Sequence, residues 1–461
     1  MKIKYLFEKK VEGHYIPNGM PKDVENEYID SILNRNEKDY DLKYQNKYNF
    51  TFPYSSEFYF KTFDNYILTS ELGNNVNKSF LGSSNKITYF YYIGTGGNIS
   101  AGMNIFLNKN HTSYFENLSE EVIENLKTKS NFYLFINQQQ EKIIFEDCEK
   151  IYKDSLKLKI PLDKIILSSD IVNFDSIVTK IEKLYNIKYN IKYFFFPWSL
   201  YQAAEMLDYL IENKNIVTEI KLNKPKKILC LNRNLRYNKI LTLSYLLFKN
   251  YETESLISFD TDFLDKTKYD FSGTAIKNKN ELSIGFKKIL DMKELKLDVT
   301  DFNDNINLLR DSKYLYENSY LSLVNETEIE SNSCRITEKT FKPIINYHPF
   351  IIWGAPGTLE LLKYYNFKTF SDYFDESYDL DCALEFRLER VYSIIDFFMK
   401  MNNIDFDNFI ENIKDILIYN RKLLFQYKFK NLFEEYHINL LKMLHGNFSN
   451  KYYSIIEPKQ I

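Results

Sequence analysis

Four short apolar runs in the second half of the chain constrain the fold most: KILCLN (227–232), SLISF (255–259), YLSLVNE (320–326) and PFIIWG (349–354). Each is short for a helix and lacks a polar alternation, so each reads as a strand buried on both faces. A parallel sheet covered by helices buries strands in that way. Around them the spacing turns helical. NLRYNKILTLSYLLFKN follows the first run, a helix opens near Thr337 between the last two, and another starts at Thr358. The series predicts a Rossmann-like unit, and from about residue 380 the pattern stays helical almost to the end.

The first half repeats this grammar less clearly. Its first 85 residues show no readable periodicity. KITYFYYI then forms a strand candidate ending at Gly94-Thr95-Gly96-Gly97, and NFYLFIN (131–137) another ending at Gln138–Glu141. KIILSS (164–169), IKYFFFP (191–197) and the helical SLYQAAEMLDYLIEN follow. A chain of 461 residues exceeds one ordinary core. A boundary falls in KNIVTEIKLNKPKK, which is charged, poorly periodic and contains Pro225. The expected class is therefore α/β and GT-B-like: two Rossmann-like domains facing a cleft, residues 1–218 and 219–380, and a helical segment, 381–461. Such an outline fixes no function.

Composition removes several alternatives. A hydrophobic fraction of 44% with 17% aromatic residues supplies real cores and excludes a wholly disordered chain. A net charge of −3 gives no global pull toward nucleic acid or an anionic membrane. Cys148, Cys230, Cys334 and Cys382 are far apart, with no CxxC, and read as reduced core residues of a cytoplasmic protein. The N-terminal MKIKYLFEKKVEGHY lacks a signal-peptide apolar stretch, and no segment reaches the roughly 18 apolar residues of a membrane span. Membrane contact is expected to be peripheral at most. Asn, Lys, Ile and Tyr abound, so motifs built from those letters are discounted.

Two segments carry candidate chemistry. In TEKTFKPI, Thr337 is a good N-cap, which puts Glu338, Lys339 and Thr340 in a first helical turn where backbone N–H groups and the dipole attract phosphate. Lys339 can oppose diphosphate charge and Glu338 can accept ribose hydroxyls. Pro343 should bend that helix. In KKILCLNRNLRYNKI a buried strand breaks where a helix starts, leaving Arg233 and Arg236 at a strand terminus. Guanidinium binds phosphate bidentately and never loses its charge, which makes Arg236 the first choice and Arg233 the second.

Residues 319 to 370, with the order strand, TEKTFKPI, HPFI, Gly-x-Pro-Gly, resemble the donor-binding motif of the α-1,3-fucosyltransferase superfamily. They are still more similar to diverged glycosyltransferase-like proteins of bacterial polysaccharide clusters, phages and large viruses. The resemblance implies a glycosyltransferase that moves a sugar from a nucleotide-diphosphate donor, GDP-linked first and UDP-linked next, to a hydroxyl of a glycan or other acceptor, with inversion and without metal or cofactor. It implies a donor set of Arg236, Arg233, Asn325, Glu326, Thr337, Glu338 and Lys339. The catalytic base would come from the N-terminal domain, where Glu141, or alternatively Asp170, lies at a strand end.

Other readings stand beside this one. Asp260-Thr261-Asp262 copies the Asp-x-Asp pattern with which single-domain GT-A enzymes hold Mn²⁺ or Mg²⁺. A degenerate glycosyltransferase fold kept for carbohydrate binding or assembly is a second, and a DNA-modifying glycosyltransferase, with KLNKPKK (221–227) as its basic segment, a third. The Gly94–Gly97 loop reads first as a turn, His348 as a packed histidine, and DYFDESYD (372–379) as a lid over the donor cleft.

Overall fold

The computed structural model describes residues 2–6, 87–95, most of 115–138 and 143–195, 216–260, most of 276–297, 313–329, 334–380 and 382–427. Among these the chain divides into two compact units. The first holds the elements up to Phe195, and the second takes residues 171–173 and the described residues from Leu200 onward.

The first unit is a five-stranded parallel sheet in sequential order: β1 (Lys2–Leu6), β2 (Ile87–Thr95), β3 (Phe132–Gln138), β4 (Ile165–Ser169) and β5 (Lys192–Phe195). Helices α1 (Glu120–Thr128), α2 (Phe145–Leu158) and α3 (Phe174–Tyr185) intervene. Leu134, Phe135, Ile136, Ile165, Ile166 and Leu167 are fully buried. That explains why NFYLFIN and KIILSS carry no polar alternation. β1 lies in the stretch that gave no periodicity, and the helix expected in SLYQAAEMLDYLIEN falls mostly outside the described residues.

The second unit is a five-stranded sheet of β6 (Lys226–Asn234), β7 (Ser255–Asp260), β8 (Glu294–Leu295), β9 (Ser319–Asn325) and β10 (Phe350–Trp353). Its order is β10-β9-β6-β7-β8, with the short β8 antiparallel. From β6 the chain moves outward through α4 (Tyr237–Phe248) to β7, then returns to lay β9 on the other side of β6. The reversal makes the gap between β6 and β9 a topological switch point, where open α/β sheets bind ligands at the carboxyl ends of their strands.

Helix α5 (Lys279–Met292) packs on α4 at Gly285, where an added Cβ would meet the Ser244 carbonyl oxygen at 1.8 Å. The one-turn α6 (Lys313–Glu317) precedes β9, α7 (Glu338–Ile345) joins β9 to β10, and α8 (Thr358–Tyr364) follows β10. The Gly-x-Pro-Gly turn ends at Gly357 with φ +84°, a conformation that glycine adopts without strain. The two C-terminal helices, α9 (Leu384–Lys400) and α10 (Asn403–Gln426), belong to the second unit's core. Tyr392 stacks on Tyr245 of α4 at 3.8 Å and donates to the Leu241 carbonyl, and Asp407 accepts from Tyr320 of β9. The linker is fastened too: the Arg421 guanidinium donates to the Val217 carbonyl.

The chain is thus α/β as expected: the first sheet is all parallel, the second parallel apart from β8, and the C-terminal helices complete the second unit. Among the described residues no helix is long and apolar enough to cross a membrane. Three cysteines are buried, but Cys382, expected in a core, is exposed.

Gly285→Ala should separate α4 from α5 and lower the stability by about 1–3 kcal/mol, as overpacking does. A thermal melt unchanged from wild type would refute that close approach.

Candidate functional site

The main-chain pairing of β6 with β9 runs from Lys226 and Ser319 to Leu229 and Ser322. Beyond that point β6 stays with β7, through a register shift between Leu231 and Asn234, while β9 stays with β10 up to Asn325 opposite Trp353. The strands thus part at their carboxyl ends, and side chains span the gap. Asn325 Nδ2 donates to Asn232 Oδ1 at 3.0 Å, Thr242 of α4 donates to Asn325 Oδ1 at 3.0 Å, and Asn238 Nδ2 donates to the Glu326 carbonyl at 2.5 Å.

Glu326 is 1% exposed, and its carboxylate accepts four hydrogen bonds. Oε1 takes the Thr337 N–H at 3.0 Å and the Thr340 hydroxyl at 2.6 Å, while Oε2 takes the Thr337 hydroxyl at 2.5 Å and the Thr327 N–H at 3.3 Å. A buried carboxylate needs such partners. Asn325, Glu326 and Thr337, expected to touch the donor, all bond within the protein and fix the end of β9 against the start of α7.

Thr337 is the N-cap of α7, as its sequence implies: its hydroxyl accepts the Lys339 N–H at 3.4 Å, and its carbonyl accepts the Thr340 N–H. Two first-turn backbone donors, those of Lys339 and Thr340, are thus taken by the cap. Lys339 Nζ lies 3.1 Å from Glu338 Oε1, 3.1 Å from Thr337 Oγ1 and 3.3 Å from Thr327 Oγ1. Burial pushes the Glu338 carboxyl up, but the nearby Lys339 and Lys342 ammonium groups outweigh it and hold the pKa at about 2.

Helix α4 departs from the usual rules. Arg236 occupies its N-cap, where a Ser, Thr, Asp or Asn belongs, and its first turn holds no acidic residue. The next cation is Lys239, which is 6% exposed, and its pKa is brought down to about 7 by burial and then by the Lys339 and Arg236 charges. The starts of the two helices meet at one loop: Arg236 reaches Glu328, Lys339 Nζ lies 3.3 Å from Thr327 Oγ1, and Asn238, next to Lys239, donates to the Glu326 carbonyl. Sequence reading missed Lys239 because NKILTLSYLL reads there as an ordinary helix. Arg236 is half exposed and pairs with Glu328 Oε1 at 3.3 Å.

Arg233 lies in β6, which continues through Asn234 instead of breaking at Asn232. Asp170 follows β4 directly and is buried, whereas Glu141 and Asp262 fall outside the described residues, as do Gly96 and Gly97. Asp260 ends β7. Among the described residues no group of three or more His, Cys, Asp or Glu is arranged to hold a metal.

His348 is fully buried, with Nε2 2.6 Å from the Ser319 carbonyl and Nδ1 2.7 Å from the Ser322 hydroxyl. A carbonyl accepts only, so Nε2 carries the proton, and burial drives the pKa well below the histidine range. The segment expected as a lid is a brace: Asp379 accepts the Leu359 N–H at 2.9 Å, and Glu376 accepts from Phe370 and Thr369. The buried Arg387 donates to the carbonyls of Tyr378 (2.6 Å), Gly354 (2.5 Å) and Ile329 (3.2 Å), tying the turn after β10 to the loop after β9.

No protein-family model and no curated protein matches the sequence. Solved structures similar to it include the α,α-trehalose 6-phosphate synthase of Burkholderia multivorans, at 8% identity, over 97% of this chain and 85% of that one, with TM-score 0.38. Another is the N-terminal domain of Candida albicans trehalose-6-phosphate phosphatase, at 12% identity, 94% and 79% coverage and TM-score 0.39. A UDP-forming α,α-trehalose-phosphate synthase of Burkholderia xenovorans shows 10% identity, 93% and 86% coverage and TM-score 0.37. Likenesses this distant carry over neither residue roles nor an activity, and these three proteins are not fucosyltransferases.

Glu326→Gln should destabilise the second unit by about 1–3 kcal/mol, because the amide nitrogen cannot accept the bonds that one carboxylate oxygen takes; chemical denaturation measures this. Lys239 gives a pH signature. The unfolded chain titrates this lysine at the ordinary 10.5 and the folded one at about 7, so folded protein has released a proton that unfolded protein keeps, and stability rises with pH across that window. Lys239→Met should flatten that rise in a melting series and weaken binding of inorganic pyrophosphate.

Proposed function

We propose that the chain is a glycosyltransferase that takes a sugar from a nucleotide-diphosphate donor and passes it to a hydroxyl of a glycan or other acceptor. The observation that carries this reading is that Arg236, the segment of Lys239 and Lys339 all meet the loop of residues 326–328, at the switch point between β6 and β9. A diphosphate presents two adjacent anionic groups. Fixed cations beside it stabilise the negative charge that grows on it as the bond to the sugar breaks, without reorganisation at the moment of reaction. Glu338, held ionised, accepts ribose hydroxyls.

In this reading the acceptor oxygen attacks the anomeric carbon, the bond from that carbon to the diphosphate oxygen breaks with inversion, and the hydroxyl proton passes to a carboxylate of the first unit. Glu141 and Asp170 are the candidates for that carboxylate. The donor is GDP-linked by preference and UDP-linked next, a preference that rests on the resemblance of residues 319 to 370. Arg236 and Lys339, with Lys239 kept protonated by the charge of the bound diphosphate, supply in this reading the charge neutralisation that a metal ion gives other transferases, and catalysis needs no metal.

A thermal-shift panel of GDP, UDP, CMP and their sugars tests the reading, because a ligand that binds the folded state alone raises the melting temperature. The expected result is a shift with one nucleoside diphosphate that survives EDTA and is weakened at least about tenfold in affinity by Arg236→Ala or Lys339→Ala, each of which removes a charged hydrogen bond. Absence of any nucleotide-dependent shift would sink it. Turnover abolished by EDTA would favour a metal-dependent enzyme instead.

A further inference from the structure

The hydroxyls of Thr327, Thr337 and Thr340 lie where β9 ends and α7 begins, and hydrogen-bond arithmetic separates them. A hydroxyl donates one hydrogen and accepts through two lone pairs. Thr337 gives its hydrogen to Glu326 Oε2, and Thr340 gives its own to Glu326 Oε1. Thr327 is different. Its oxygen takes a hydrogen from Lys339 Nζ at 3.3 Å, and among the described residues nothing accepts the hydrogen that it carries. The side chain is half-buried, in the loop at the carboxyl end of β9.

The backbone is fastened on both sides of this hydroxyl. The Thr327 N–H donates to Glu326 Oε2 at 3.3 Å, and the Ile329 carbonyl is held by the buried Arg387. A lone pair engaged with Lys339 turns the hydroxyl hydrogen away from the ammonium, and accepting from a cation makes that hydrogen a stronger donor. Lys339 shares its three ammonium hydrogens among Thr337, Thr327 and Glu338. Glu338 is the acceptor assigned above to the ribose, and when it turns there an ammonium hydrogen passes to the anion beside it. The two donor atoms, Nζ and Thr327 Oγ1, are 3.3 Å apart. That spacing suits two oxygens of one phosphate group, each in a charge-assisted bond of about 2.7–2.9 Å.

We propose that Thr327 is a donor-binding residue: its hydroxyl hydrogen goes to a phosphate oxygen of the nucleotide-diphosphate donor, beside the oxygen that Lys339 engages. Lys339 supplies charge there, and Thr327 supplies direction. The inference rests on the donor site proposed above and adds to it an uncharged contact that orients the diphosphate.

The test titrates GDP, UDP and inorganic pyrophosphate into the full chain by calorimetry, as wild type, Thr327→Val and Thr327→Ser. Valine keeps the branched shape without the hydroxyl, and serine keeps the hydroxyl. The expected outcome for Thr327→Val is roughly tenfold weaker binding of pyrophosphate and of the preferred nucleoside diphosphate, with Thr327→Ser within about threefold of wild type. The valine effect should persist in a Lys339→Met background, and its disappearance there would make the threonine a support for Lys339 and overturn the assignment. Thr327→Ala takes the place of the valine variant if that variant fails to fold. Unchanged binding would make Thr327 a solvated hydroxyl, equal losses with valine and serine would make it a packing residue, and a loss confined to the nucleotides would put it at the ribose; each of these sinks the proposal. Failure of the wild type to bind any probe would instead remove the donor site itself, and the inference with it.

Discussion

The candidate site depends on one buried carboxylate. Glu326 sits where β9 ends, and an ionised group taken out of water there persists because four donors satisfy it. Three of them come from Thr337 and Thr340, so the start of α7 is indexed to the end of β9. The carbonyl of the same residue accepts from Asn238 in the first turn of α4. One residue therefore sets the spacing of both helices that carry the cations.

Around that point the local rules of helix design are followed on one side and broken on the other. α7 has an acidic first residue and a threonine cap that takes the Lys339 and Thr340 backbone donors. α4 opens on Arg236 with no acidic residue in its first turn and buries Lys239, so its positive dipole end meets positive charge. Each such pairing costs on the order of 0.3–1 kcal/mol at a surface and more when partly buried. Local cost of that kind is expected where function requires it, and an anionic ligand between the helices would relieve it. The frame that holds α4 in place is stiff: ten of its residues are buried, Gly285 brings α5 onto its backbone, and Tyr392 of α9 stacks on Tyr245.

Much of this was legible in the chain. Unbroken apolar runs became β3, β4, β6, β7, β9 and β10 within a residue or two, because strands covered on both faces tolerate little polar alternation. β1 was missed, since KIKYL is charged and brief, and so was α5, whose charged residues obscure its apolar stripe. Arg236, Glu338 and Lys339 could be named because helix starts and strand ends have sequence signatures. Lys239 and Thr327 could not, for neither a lysine in a helix nor a threonine in a loop stands out before its neighbours are known. Nor could the sequence show that Asn325, Glu326 and Thr337, expected at the ligand, bond to one another's elements within the protein.

Readable in the sequence were the strands β6, β7, β9 and β10, the cap that starts α7, and the charges placed at two helix starts. It left undecided which strands are neighbours. Tertiary structure alone put β9 beside β6 instead of beyond β8, parted the two strands at their carboxyl ends, and so brought Arg236 and Lys239 to Lys339 across a hundred residues of chain. The reason is physical. Periodicity records whether a strand is buried, not what buries it, and strand order follows from how several amphipathic helices can cover one sheet at once.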